Sequence, residues 1–103
     1  MADPMKIRAT VTGDKVVVKV LMAHEMETGQ RKDSAGKVVP AWFIQNVTAT
    51  HNGKIVLSAQ WGPAVSKNPF LEFRFSGGKT GEKVVVIWTD NKGEKRSDEA
   101  TIT

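Results

Sequence analysis

The run Val47-Thr48-Ala49-Thr50-His51-Asn52-Gly53-Lys54-Ile55-Val56-Leu57-Ser58 decides the fold. Asn52-Gly53 is the strongest short-range hairpin signal in the chain, because both residues tolerate the positive φ that a type I′ turn requires. It joins a strand over residues 41–51 to a second over 54–61. Along the first, the apolar positions run Trp42, Ile44, then Val47, Ala49, so the alternation changes phase near Gln45-Asn46. One extra residue in the strand, a β-bulge, produces that shift.

The same period of two extends outward on both sides. Residues 5–12 set Ile7, Ala9 and Val11 against Lys6, Arg8 and Thr10, and Gly13-Asp14 turns the chain. Residues 15–23 put Val16, Val18, Val20 and Met22 on one face, with Val17, Lys19 and Leu21 on the other. Beyond the central hairpin, Gly62-Pro63 ends the fourth strand and Pro69 opens the fifth, where Leu71, Phe73 and Phe75 face inward. Residues 77–81 form a turn, and 82–89 bring Val84, Val86 and Trp88 to one face. After a turn at Asp90-Asn91-Lys92-Gly93, residues 95–103 make a polar last strand suited to an edge. Seven strands with turns about every ten residues predict an all-β, immunoglobulin-like β-sandwich, a single domain over residues 1–103. No helix-period segment and no repeat compete with it.

Composition bounds what such a domain does. With 103 residues, 40% apolar and 25% charged, the chain has room for one core and is not of disordered composition. No stretch approaches the ~20 apolar residues of a membrane helix. The start Met1-Ala2-Asp3-Pro4-Met5-Lys6 has no apolar segment of the secretory kind. Fifteen basic and eleven acidic residues leave +4. Lys6, Arg8, Lys15 and Lys19 stand singly along strands, and Lys92, Lys95 and Arg96 alternate with Asp90, Glu94, Asp98 and Glu99. Solvated faces are therefore expected, with no nucleic acid and no membrane as partner. The absence of cysteine removes disulfides, thiolate nucleophiles and cysteine-type zinc sites together.

Catalytic and metal-binding constellations are weak. Gly78-Lys79-Thr80 lacks the earlier glycine of a phosphate loop, Phe73 standing in its place, and precedes a valine-rich strand where that loop opens a helix. His24-Glu25-Met26-Glu27 has only His51 as a second imidazole, in a different hairpin, so His24 reads as a surface-exposed or hydrogen-bonded loop histidine. The serines lack a nucleophile-elbow context. No catalytic residue, cofactor or metal is expected. Residues 24–40 form a connection far longer than the usual four to six, and such loops are often functional; Met22, Met26, Val38 and Val39 offer it something to pack with. Trp42, Phe43, Trp61 and Phe70 sit near strand ends and long loops, which makes them candidates for a contact surface. The apolar residues Val17 and Leu21, and Val85 and Ile87, suggest either sheet surface covered by another chain or the far wall of the core.

The loop and the strand after it also carry a resemblance. His24-Glu25-Met26-Glu27-Thr28-Gly29-Gln30-Arg31-Lys32-Asp33 followed by Val39-Pro40-Ala41-Trp42-Phe43-Ile44 closely resembles the SoxZ family. The pattern continues in Asn52-Gly53-Lys54, Gln60-Trp61-Gly62, Ser66-Lys67-Asn68-Pro69-Phe70 and Trp88-Thr89-Asp90-Asn91-Lys92-Gly93, and runs from Ala2 to the C-terminus. Glu25 departs from it, a proline being expected after the histidine.

The resemblance implies an immunoglobulin-like subunit, without catalysis of its own, of the SoxYZ carrier of bacterial thiosulfate oxidation. Its partner SoxY carries a cysteine on a flexible, glycine-rich C-terminal arm. Sulfur intermediates ride on that thiol between SoxAX, SoxB and SoxCD. SoxY also bears the export signal, so the pair reaches the periplasm as a folded heterodimer. On this reading Met22, Met26, Trp42, Phe43, Trp61 and Phe70 are the expected partner contacts. The alternative is a solitary surface- or carbohydrate-binding β-sandwich module, which calls for an exposed aromatic platform.

Overall fold

The computed structural model describes residues 3–103. The start of the expected domain, Met1 and Ala2, lies outside the described residues. Seven strands follow one another: β1 Lys6–Thr12, β2 Lys15–Leu21, β3 Ile44–His51, β4 Lys54–Gln60, β5 Phe70–Ser76, β6 Lys83–Asp90 and β7 Lys95–Thr101. They build two sheets, one in the order β1-β2-β5 and one in the order β4-β3-β6-β7, with every neighbouring pair antiparallel.

Alternation decides which side chains meet between the sheets. Val16, Val18 and Val20 of β2 face Val47 and Ala49 of β3 and Val84, Val86 and Trp88 of β6 across the core, each at most 1% exposed. Burying one such side chain fully contributes about 1.5–3 kcal/mol, so these central strands supply most of the hydrophobic stabilisation. The turn at Asn52-Gly53 has φ of 51° and 77°, as type I′ demands. The bulge expected near Gln45-Asn46 is present as a register shift between Ile44 and Asn46 against β6. A second shift, between Ala49 and Thr50 against β4, has no counterpart in the sequence pattern.

Three sequence expectations change. The last strand ends at Thr101, and the residues beyond it cross to the other sheet, where Ile102 bridges Ala9 in parallel and Thr103 N–H donates to the Ala9 carbonyl at 3.0 Å. That crossing closes the β1/β7 side of the sandwich and leaves β4 and β5 as its open edges. Val17 and Leu21 lie on the outer face of the three-stranded sheet, and Val85 and Ile87 on the outer face of the other, so neither pair is core wall and no one surface contains both. The basic residues of β1 and β2 are not solitary either: the register sets Arg8 beside Lys19 and Lys19 beside Glu72 on one outer face.

The connection from Met22 to Phe43 is a self-paired arm. Glu27 and Trp42 exchange backbone hydrogen bonds, Val39 N–H donates to Arg31 O at 2.7 Å, and Asp33 Oδ1 caps the tip by accepting from the N–H groups of Ala35 and Lys37. Val38, expected to anchor it, is 56% exposed; Met22 and Met26 do the anchoring.

Candidate functional site

One end of the sandwich gathers most of the unusual residues of the chain. The backbone beyond β2 continues against the residues before β5: Met22 N–H donates to Pro69 O, while His24 N–H donates to Asn68 Oδ1 and the Asn68 N–H to His24 O. This places the His24 ring inside the end of the core, edge-on to Trp88 at 5.1 Å and tilted against Trp42 at 4.9 Å. His24 Nδ1 accepts from the Met26 N–H at 3.1 Å, which assigns the proton to Nε2, and Nε2 donates to Asp90 Oδ2 at 3.0 Å. Of the two readings of this loop histidine, the hydrogen-bonded one holds and the surface-exposed one does not.

Asp90 ends β6 and organises the cluster. Its Oδ2 also accepts from Trp42 Nε1 at 2.7 Å, and its Oδ1 accepts from the backbone N–H groups of Lys92 and Glu94. Burial pushes this carboxyl up, but the hydrogen bonds from His24, Trp42 and the two backbone donors outweigh it and hold Asp90 below the usual carboxylate range. The next residue, Asn91, fixes the base of the arm by accepting from Phe43 N–H and donating to Ala41 O. Lys92 lies over the Trp42 ring, 4.4 Å from its centroid.

Chemically this is a tie and not a proton relay. His24 and Asp90 resemble two members of a hydrolytic triad. Both ring nitrogens are committed, however, and each oxygen of Asp90 already accepts two hydrogen bonds. The cluster borders a cleft of about 160 Å³ whose walls include Trp42, Trp88, Asn68 and Glu25 but no serine or threonine. Trp88 Nε1 is buried without a partner, the only side-chain polar atom of that kind among the described residues.

A second polar cluster lies at the other end of β6. His51 Nε2 meets Glu82 Oε1 at 2.9 Å, and hydrogen bonds from Asn52, His51 and the Lys79 N–H pull the Glu82 carboxyl down to about 2. His51 pairs with Val84, whereas His24 bonds Asp90, six residues further along the strand, or roughly 20 Å. The two imidazoles are therefore not brought together, and no group of three potential metal ligands occurs among the described residues.

The six expected contact residues separate by exposure. Met22 and Met26 are 1% and 5% exposed and pack into the core. The sequence pattern sets Met22 on the face of Val16, Val18 and Val20 and offers both methionines as packing residues of the connection. Both turn inward to seat the arm, Met26 at φ 52° with its sulfur accepting the Ile44 N–H. Trp42 is half-buried and held by Asp90, while Phe43 and Trp61 are half-buried against the core. Phe70 stands out at 61% exposure, beside Leu21 at 42%. Sequence reasoning did not single out Asp90 and Asn68. The signal available was that both fall in the turn-flanking motifs Trp88–Gly93 and Ser66–Phe70.

Strand order, sheet pairing and core define a two-sheet, immunoglobulin-like β-sandwich. Solved structures agree: a hypothetical protein, PH1083 from Pyrococcus horikoshii OT3, matches with TM-score 0.63 at 17% identity, covering 99% of this chain and 89% of that one. The superoxide reductase (neelaredoxin) from Ignicoccus hospitalis matches with TM-score 0.61 at 15% identity, covering 99% and 80%. At such identities the likeness is one of fold. No curated protein matches the sequence. The chain belongs to the SoxZ family: the family model described as sulphur oxidation protein SoxZ matches residues 5–101. Its role is therefore in sulfur oxidation.

Proposed function

We propose that the chain is the non-catalytic subunit of a SoxYZ sulfur carrier. It binds SoxY, whose C-terminal cysteine bears the sulfur intermediates, and it supports that arm while SoxAX, SoxB and SoxCD act in turn. The pair works in the periplasm, exported together on the partner's signal. The observation that carries this reading is the family match across residues 5–101. A chain without cysteine suits it, since a thiol beside the arm would compete by exchange. So does an end cluster in which the one buried histidine–aspartate pair is spent on holding loops.

The solitary-module reading finds less support. Of three tryptophans and four phenylalanines, only Phe70 is exposed, and one ring is not a platform. The test is co-expression with SoxY, followed by copurification and intact mass. A one-to-one complex is the expected result; a stable monomer that leaves SoxY behind overturns the proposal.

A further inference from the structure

The outer face of the three-stranded sheet holds the charge imbalance of the whole chain. Across β1, β2 and β5 the register forms four rows: Lys6-Leu21-Phe70, Arg8-Lys19-Glu72, Thr10-Val17-Arg74 and Thr12-Lys15-Ser76. All twelve side chains alternate with the core-facing residues of their strands. The rows contain five of the fifteen basic residues and one of the eleven acidic ones, leaving ten of each sign elsewhere. The formal +4 therefore sits on this face, and the remainder of the molecule is neutral.

The cations are also available. Among the described residues no carboxylate pairs with Lys6, Arg8, Lys15 or Lys19, and the Arg74–Glu72 contact is long, at 3.8 Å, and exposed. The face is dished: Arg8, Lys19, Glu72 and Arg74 rim a groove of about 460 Å³. Leu21 and Phe70 border a second depression, which shares Arg8 and Lys19 with the first.

We propose that this face is the docking surface for a transiently bound protein that presents an acidic patch, with Leu21 and Phe70 supplying an apolar contact at its margin. The inference deepens the carrier reading and rests on it: it names where a visiting enzyme meets this subunit. Charge complementarity selects the occupant. Permanent interfaces have apolar centres depleted of charge, whereas the middle rows here are charged, which suits an encounter that is steered, fast and screened by salt. Glu72 in the middle of the field fits a protein surface of mixed sign and opposes a polyanion such as duplex DNA. The two exposed apolar side chains, both in the first row, are too few to seat the face on a bilayer.

The test uses the purified heterodimer with SoxY, with SoxAX, SoxB, SoxCD, a duplex oligonucleotide and phosphatidylglycerol vesicles as separate probes, at about 20 and 300 mM salt. At least one enzyme is expected to associate about tenfold faster with the wild type at low salt. The double variant Arg8→Glu/Lys19→Glu lowers that rate about tenfold, while Lys37→Glu/Lys54→Glu, with the same change in net charge away from the face, leaves it within about twofold. Retained copurification with SoxY and an unchanged urea midpoint exclude misfolding. Equal rates for the two double variants, or no salt dependence for any enzyme, overturn the proposal. Loss of SoxY from Arg8→Glu/Lys19→Glu overturns it too, by assigning the face to the permanent pair. So does a charge-dependent response confined to duplex oligonucleotide or phosphatidylglycerol vesicles. If the wild-type chain fails to pair with SoxY, the carrier reading fails by itself, and the free chain passes through the same panel so that the two are judged apart.

Discussion

At Asp90 four donors converge on two oxygens, and three of them come from residues that would otherwise be loose: Trp42 at the base of the arm, and Lys92 and Glu94 in the β6–β7 turn. His24 supplies the fourth. Asp90→Asn keeps the shape but turns one acceptor into a donor, facing either both His24 and Trp42 or, with the amide flipped, the N–H groups of Lys92 and Glu94. The expected loss is about 2–3 kcal/mol, read as a lower urea midpoint at neutral pH. The acid response follows from the direction of the shift. A carboxyl held below its usual range contributes stability that is complete above the unfolded value, about 4, and is lost as pH falls through the lower folded value. Asp90→Asn lacks that loss, so its stability declines less steeply below pH ~4 than that of the wild type. An equal slope in both proteins removes Asp90 from this role.

Elements obey the sequence where alternation is strict and depart from it where alternation is missing. The bulge at Gln45-Asn46 was legible because β3 is central and its apolar positions must change phase to keep facing the core. The shift at Ala49/Thr50 was not, since Ile55, Val56 and Leu57 of the edge strand β4 run consecutively and have no phase to lose. The β5–β6 turn shows a constraint of another kind. A Cβ at Gly78 would collide with Val16 Cγ2 and press on the Phe75 ring, both fixed in the core, whereas one at Gly62 would meet nothing. Gly78→Ala is expected to cost about 1–3 kcal/mol, and Gly62→Ala to leave stability within about 1 kcal/mol of the wild type. Thermal melts of the two variants side by side check the contrast. A neutral Gly78→Ala would mean that the turn relaxes away from Val16.

For the whole molecule, 52 × 21 × 20 Å in extent, the consequential feature is asymmetry. One outer sheet face is cationic; the other sets half-buried Val85 and Ile87 beside Thr48 and Thr50, with Lys83 paired to Glu99 on one side and Ile55 exposed on the other. The six expected contact residues are unequally exposed, and stability measurements separate the buried from the exposed. Met22→Ala is expected to cost about 2–5 kcal/mol, because a fully buried side chain leaves a cavity. Phe70→Ala, already mostly in solvent, is expected to change stability by less than about 1 kcal/mol. A large loss from Phe70→Ala would show that its ring stabilises the fold and is not free for a partner.

Seven strands, their turns, one of two bulges and the family were all readable from the chain, because hairpins, alternation and contiguous motifs are local. Tertiary structure decided which distant residues became neighbours. His24, Trp42, Asn68 and Asp90 are separated by up to 66 positions and touch only because both sheets end there. The charges of β1 and β2 looked solitary for the same reason. Period two tells which side of its own strand a lysine occupies, but not which strand lies alongside, and β2 meets β5 across a separation of some fifty residues. Side-chain direction is a property of the strand, whereas pairing is set by how the whole chain buries its apolar faces, and that is resolved only on folding.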